Sequence, residues 1–197
     1  MLGRLFSLSI LAMALSLSSA QTRGAEQLVT LSEHINDYVP NGVTRGSCIS
    51  VQADGRFHLE VRQQKFPEDF VTLQIYESSL DVLRLQQLRT LLDSPAIHAL
   101  PAFKPPPLPM STMTFGFFGA QFLDSNRLLH VGYLTWDASQ VKEDQSPAST
   151  PASTKEEWRI SQMALAPLLQ WFHQIQGMNW PQVPQSRSNL CDWVFDQ

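Results

Sequence analysis

The chain has 197 residues with 14 basic and 18 acidic side chains, which give a formal net charge of −4 at pH 7. Its basic residues form no cluster, which argues against a nucleic-acid partner because a phosphate-binding surface needs grouped Lys and Arg. The length predicts a single domain with a substantial core.

The N-terminus has the pattern of a secretory signal peptide over residues 1–20. Arg4 supplies the early positive charge, an apolar run covers residues 5–17, and Ser18-Ser19-Ala20 offers a small-residue cleavage site. The run is shorter than the roughly 20 residues that cross a bilayer. We expect cleavage after Ala20 and a periplasmic or secreted protein without a membrane association; an uncleaved membrane anchor is the alternative.

The only two cysteines, Cys48 and Cys191, both follow the predicted cleavage site. An even number of cysteines in an oxidising compartment favours a disulfide. A Cys48–Cys191 bridge would tie the start of the fold to its end and contribute at most about 4–5 kcal/mol through loop closure. Two free thiols or an intermolecular link are the alternatives.

Residues 21–46 are predicted to precede the folded domain. Leu28, Leu31, Ile35 and Tyr38 recur at helical spacing, so this lead-in is expected to be a short amphipathic helix or disordered. The remaining residues, 47–197, are assigned to one domain.

The segment Cys48 to Arg62 predicts a β-hairpin, because apolar side chains alternate on both sides of Asp54-Gly55. A three-residue loop at positions 53–55 pairs Val51 with Phe57 and places the apolar side chains on one face. It also puts Gly55 at the left-handed position that such a loop requires. His58, Glu60 and Arg62 then lie on the opposite, solvent-side face.

A third strand is predicted over residues 70–77, followed by a helix with a leucine stripe. Asp81 or Ser79 can cap this helix, and Pro95 limits it. A further helical turn is expected after Ser94, with Pro95 in the first helical position.

The second half of the chain predicts an extended proline-rich link over 101–109 and a second hairpin around 124–127. Gly116 and Gly119 indicate a bend, a bulge or a close backbone approach. A mobile Ser/Thr/Pro-rich loop is expected over 137–153. The last helix should begin at a capping box, Thr154 to Glu157, kink or restart at Pro167, and stop at Gly177.

These elements predict an α+β fold. The expected architecture is an antiparallel sheet of about five strands, formed by two hairpins and one strand, packed by two main helices and closed by one disulfide.

No sequence motif for catalysis, cofactor binding or metal binding is present. The five histidines are isolated in sequence, and His58 could meet His130 to hold a metal only if the two hairpins were neighbours. No catalytic, cofactor-binding or metal-ligating residue is therefore predicted. The aromatic residues of the second hairpin are expected to belong to the core, with a binding face as the alternative.

The order of these elements resembles the emfourin-type protease inhibitors of bacteria. The likeness rests on the D-G hairpin, the helix running into "LLDSPAIHALPAF", the proline-rich link, the aromatic hairpin and the closing "ALAPLLQWFHQI". The chain differs from that family in its signal peptide, its two cysteines, the segment 137–153 and its tail. The resemblance implies a non-enzymatic domain that blocks a secreted metalloprotease.

The sequence thus predicts an exported, non-catalytic binding domain without a cofactor, whose partner is another extracytoplasmic protein, with protease inhibition as the sharpest version. An exported hydrolase with a dispersed site and a structural envelope component are the alternatives.

Overall fold

The structure is a computed structural model that describes residues 26–36, 42–65, 71–104, 115–124, 127–136 and 152–184. The predicted signal peptide, the proline-rich run from 105 and the tail with Cys191 lie outside the described residues. Among the described helices, none combines the length and the apolar character that crossing a membrane requires.

Seven strands form one antiparallel sheet and three helices accompany it. In chain order the elements are β1 (Gln27–Asn36), β2 (Val43–Gln52), β3 (Arg56–Lys65), β4 (Val71–Ser79), α1 (Val82–Leu92), α2 (Pro95–His98), β5 (Phe115–Asp124), β6 (Arg127–Trp136), α3 (Ala152–Gln176) and β7 (Gln182–Val183). The spatial order of the strands is β6-β5-β1-β2-β3-β4-β7. The α+β class is as predicted, but the prediction of about five strands is wrong.

The first missing strand is β1, in the segment that we expected to be a short helix or disordered. It pairs with β2 along one edge and with β5 along the other, so it lies in the middle of the sheet. Val29 and Leu31 are two residues apart and fully buried, as in a strand, whereas Ile35 of the helical pattern is exposed. β1 therefore belongs to the same sheet as the strands that follow residue 47.

The second missing strand is β7, which has only two residues. Tyr76 pairs with Gln182 and Ile75 with Val183 at the outer edge of β4. Two residues are too short to show the alternation by which a strand is recognised in a sequence.

The predicted register of the first hairpin is confirmed. Val51 pairs with Phe57 and Ile49 with Leu59, and Gly55 has a φ of 89°. The loop is also fixed to the start of α1, because the Gly55 carbonyl accepts a hydrogen bond from the Leu80 amide at 2.9 Å.

The helix boundaries follow the capping chemistry only in part. The Asp81 side chain accepts from the Arg84 amide at 2.8 Å and caps α1, and α3 ends before Gly177 as expected. The predicted capping box is wrong, because α3 begins at Ala152 and thus includes Thr154 and the end of the expected mobile loop. α3 also continues through Pro167 without restarting.

The main core lies between the helices and one face of the sheet, the helix face. The ring of Phe118 on β5 contacts Phe172 on α3, and the ring of Phe122 contacts His98 at the end of α2. The most buried aliphatic residues of this core are Val29, Leu31, Ile49, Val51, Leu88, Leu165 and Leu168.

The opposite face of the sheet, the second face, is covered at β5 and β6 by Phe103. Its ring lies 5.1 Å from that of Phe117, centroid to centroid. The Phe117 ring in turn lies over the glycine pair Gly119–Gly132, where a Cβ atom on Gly119 would come within 2.5 Å of it. The close neighbour of Gly119 is thus the Phe117 side chain, whereas a bend, a bulge or a close backbone approach was expected there. The aromatic residues Phe117, Phe118, Phe122 and Tyr133 are all buried, as the core interpretation predicts.

Candidate functional site

Three ionisable side chains meet on the second face of the sheet, and we call them the His58 cluster: His58, Glu60 and Glu77. The imidazole Nε2 lies 2.7 Å from Oε1 of Glu60, and Nδ1 lies 3.3 Å from Oε1 of Glu77. Strand register explains the contact, because His58 and Glu60 are two residues apart on β3 and His58 pairs with Glu77 on β4. Only the doubly protonated ring can donate from both nitrogens at once.

The electrostatics of the His58 cluster favour that charged ring. The hydrogen bond to Glu60 is the largest influence and raises the pKa of His58; burial opposes it, while Glu77 reinforces it. Glu60 itself has no exposed surface. A carboxylate buried so completely needs a compensating charge, which the imidazolium provides.

The expectation that His58, Glu60 and Arg62 lie on a solvent-exposed face is wrong. His58 and Glu60 are buried and Arg62 is half-buried. The prediction of which hairpin side chains share a face is correct. A sheet can be covered on both faces, however, and the polar residues of the second face are then buried as well. Glu77 was not among the predicted candidates, and only the position of β4 beside β3 places it here.

The structure does not bring His58 and His130 together. β2, β1 and β5 lie between their strands, so four strand spacings, about 19 Å, separate them. His130 contacts the Phe103 ring instead, and burial lowers the pKa of its imidazole. Within the described ranges, no group of three or more His, Cys, Asp or Glu side chains is placed to hold a metal ion.

A second polar group connects α3 to the helix face of the sheet. The His173 Nε2 atom lies 2.9 Å from Oε2 of Glu33, and the Gln176 amide donates to the Ser47 hydroxyl. Burial, together with the charge of Glu33, raises the pKa of Tyr133 to about 12. Although Ser, His and Glu are all present, the Ser47 hydroxyl is bonded to Gln176, and no hydrogen bond joins it to His173. A nucleophilic triad requires that bond.

An open groove of about 540 Å³ lies between α1 and α3. We call it the glutamine groove, because its polar lining consists of uncharged side chains: Gln86, Gln87, Thr90, Gln170 and Gln174. The apolar part is formed by Leu83, Leu91, Pro167 and Trp171. No charged side chain is among these lining residues.

Trp171 is the unusual member of the glutamine groove. Its side chain is 4% exposed, and its Nε1 atom is buried without a hydrogen-bond partner. A buried donor that is left unpaired costs about 1–3 kcal/mol. An acceptor that reaches this atom would recover that cost.

The glutamine groove was not among the predicted features. The sequence shows only two pairs of glutamine residues: Gln86-Gln87 on α1, and Gln170 with Gln174 one turn apart on α3. Each pair is unremarkable on an exposed helix surface. The two pairs line the same groove only because α1 packs beside α3.

The predicted disulfide falls partly outside the described residues. Cys48 is 1% exposed and no cysteine of the described residues is a free thiol, but Cys191 lies beyond them. The bridge therefore remains a prediction.

The described residues define a class of protein: an α+β domain with one antiparallel sheet, a buried ionic cluster and an uncharged groove between two helices. No protein-family model matches the chain, and neither a curated protein nor a solved structure does. The resemblance to emfourin-type inhibitors thus remains a prediction.

Proposed function

We propose that this protein is an exported, non-catalytic domain that binds an uncharged segment of another polypeptide in the glutamine groove. The single observation that carries the proposal is the buried, unpaired Trp171 Nε1 atom in a groove lined by uncharged side chains. Export rests on the signal-peptide pattern of residues 1–20.

The chemistry of the groove favours a polypeptide over a sugar. A glutamine carboxamide carries the same donor and acceptor as a peptide group, so it can pair with a peptide backbone. A neutral oligosaccharide would gain most from stacking on an exposed aromatic ring, but Trp171 is buried. Leu83, with its side chain largely exposed, gives an apolar rim at which a hydrophobic side chain of the partner can pack.

The uncharged lining also predicts which partners are rejected. A charged side chain placed in the groove would lose hydration and find no opposite charge among the lining residues. Specificity therefore comes from excluding charged segments as much as from attracting neutral ones.

The resemblance to emfourin-type inhibitors makes a secreted metalloprotease the first target to test. The purified protein is titrated into a thermolysin-type protease that is cleaving a chromogenic peptide. Slowing at micromolar concentrations is expected, and its loss in Gln170→Glu would locate the contact at the groove. An unchanged rate would exclude this target without excluding the groove.

The groove is tested directly with labelled, uncharged twelve-residue peptides and with maltohexaose as the neutral sugar. Peptide binding should shift the Trp171 indole N–H resonance, assigned by its absence in Trp171→Phe. Gln170→Glu should weaken binding at least about tenfold, or about 1.4 kcal/mol. The matched control is Gln63→Glu, which adds the same charge at an exposed position on β3. Binding of the sugar alone, or equal effects of both variants, would contradict the proposal.

The hydrolase alternative has a separate test. A screen with ester, glycoside and phosphate substrates is expected to stay at background. Turnover that disappears in Ser47→Ala or His173→Gln would establish the alternative and overturn the non-catalytic proposal.

A further inference from the structure

β6 is an outermost strand of the sheet, and part of its free edge carries backbone groups without a partner among the described residues. Its neighbour in the sheet is β5. The Phe103 amide donates to the His130 carbonyl at 2.8 Å, so His130 directs its backbone groups away from β5. Because this direction alternates along a strand, Gly132, Leu134 and Trp136 direct theirs the same way. No hydrogen bond from the described part of the chain reaches these three on that side.

This part of the edge lacks the features by which proteins keep a free strand from pairing. Such strands usually carry charged side chains or proline, or contain a bulge. No Asp, Glu, Lys, Arg or Pro occurs between Leu128 and Trp136, and β6 pairs with β5 without a shift in register. The edge is therefore suited to accept a further strand.

α3 forms a side wall beside this edge, and the two elements enclose an open groove of about 420 Å³. We call it the edge groove. Leu134 and Thr135 line it from β6. The residues that line it from α3 lie on one stripe of the helix, since they are three and four positions apart: Lys155, Trp158, Arg159 and Gln162. A strand added beside β6 would direct every second side chain toward this stripe.

The edge groove is positively charged, because its two charged lining residues, Lys155 and Arg159, are both basic. The Arg159 Nε atom donates to Oε2 of Glu156 at 2.7 Å, so its charge is partly balanced within α3. Lys155 is exposed and has no ion-pair partner among the residues that the structure describes. It is also the fourth residue of α3, close to the positive end of the helix dipole. A carboxylate in the groove would meet a charge that is not already neutralised.

We propose that the edge groove binds an extended segment of another polypeptide that carries an acidic side chain. The segment adds a strand to the sheet, and its backbone pairs with Gly132, Leu134 and Trp136. An Asp or Glu on the side that faces α3 meets Lys155. A second copy of this chain fits less well, because antiparallel pairing of two β6 strands would bring the Lys155 and Arg159 charges of both copies together.

The edge groove is separate from the glutamine groove and goes beyond the proposed function. The α3 residues of the glutamine groove repeat the same spacing twelve positions further along, from Pro167 to Gln174. Twelve residues correspond to a rotation of about 120° around a helix, so the two grooves lie on different sides of α3. One accepts an acidic segment, whereas the other excludes charge.

The first test selects seven-residue peptides from a random phage-displayed library against the purified protein. Selected peptides should contain Asp or Glu. Binding of a fluorescein-labelled peptide should weaken at least about fivefold with Lys155→Glu, which reverses the charge opposite the acidic side chain. The matched control is Arg45→Glu, which makes the same reversal at an exposed position on β2. β2 lies three strand spacings, about 14 Å, from β6, so screening should leave the Kd nearly unchanged.

The second test asks whether the peptide binds as a strand. N-methylation of alternate peptide amides removes donors without changing a side chain. Methylation of one alternate set should abolish binding and methylation of the other should be tolerated, because only one set faces β6. Hydrogen exchange at the Gly132 and Leu134 amides should slow on binding, while the Trp171 indole resonance stays unshifted.

Several outcomes would overturn the proposal. These are the absence of acidic peptides from the selection, equal effects of Lys155→Glu and Arg45→Glu, and equal effects of the two methylated sets. Exchange at Gly132 and Leu134 that is already slow without peptide would show that the chain itself covers the edge. Protection that increases with protein concentration alone would assign the edge to a second copy. Peptides that shift only the Trp171 resonance would leave the glutamine groove as the peptide site.

Discussion

The Nε2 atom of His58 lies 2.7 Å from Oε1 of Glu60, and this carboxylate has no exposed surface. The two residues are neighbours on the same face of one strand, so the contact forms within β3 and does not depend on a distant element. It makes the His58 cluster a buried ion pair with Glu77 at its rim. Buried pairs are destabilising when one partner is removed, even where the pair itself adds little net stability.

Glu60→Gln should destabilise the protein by about 3 kcal/mol at pH 6, because it leaves the buried His58 charge with only the longer contact to Glu77. The direction in which the stabilisation changes with pH follows from the raised pKa of His58. The stabilisation from the charged His58 is complete below the pKa of His58 in the unfolded protein, about 6.5. It is lost as the pH rises through the higher pKa of His58 in the folded protein. Urea unfolding at pH 6 and pH 9 should therefore give a smaller difference at pH 9. Glu77→Gln, at a partly exposed carboxylate, should cost less than half as much, and a pH-independent loss would contradict the assignment.

Gly132→Ala should destabilise the fold by about 1–3 kcal/mol, as overpacking of a core does. A Cβ atom there would come 2.9 Å from the Phe118 carbonyl oxygen, and a backbone atom in the sheet cannot move away. Gly177→Ala is the matched control, because its nearest neighbour would be 3.4 Å away, at an ordinary contact distance. Thermal unfolding of both variants checks the prediction, and equal melting temperatures would refute it.

Gly55→Ala should cost about 1–2 kcal/mol, because the left-handed backbone of this residue brings a Cβ atom close to the following carbonyl. The added carbon also meets the Leu85 side chain at 3.2 Å. Gly55→Asn should recover part of the backbone cost, since asparagine adopts this conformation more readily. Chemical unfolding of the three proteins should give a free energy of unfolding that decreases from Gly through Asn to Ala at position 55. An alanine variant as stable as the parent would exclude backbone strain at this position.

Tyr133 should ionise later than an ordinary tyrosine when absorbance at 295 nm is followed from pH 8 to pH 13. Its pKa of about 12 reflects burial first and the charge of Glu33 second. Because the folded pKa exceeds the unfolded value of about 10, this group's contribution is intact below pH 10 and is lost above it. Tyr133→Phe should remove the latest component of the titration and reduce the loss of stability between pH 10 and pH 12. An unchanged titration curve would contradict this.

The sequence predicted local structure where a single residue decides the geometry. Gly55 sets the loop length and thereby the register of β2 and β3, and Asp81 caps α1. Apolar alternation also identified the core face of the hairpin. These features depend on residues within a few positions of one another, so one sequence contains all the information needed.

The sequence could not predict features that depend on distant packing. β1 was misassigned because its pairing partner β5 comes from the other half of the chain, and because a spacing of four residues, as between Leu31 and Ile35, fits both a helix and a strand. The burial of Glu60 could not be foreseen because alternation tells which residues share a face but not whether that face is covered. The glutamine groove likewise exists only because α1 and α3 meet.

The middle position of β1 has a consequence for how the chain reaches its native state. Synthesis proceeds from the N-terminus, so β1 to β4 can pair as a meander before β5 exists. Until residues 115–124 arrive, one edge of β1 presents unpaired backbone groups beside the apolar side chains of Val29 and Leu31. Such an edge recruits other strands, including those of a second copy. The protein is therefore most prone to association before β5 is in place, and a holding chaperone that covers β1 should raise its yield.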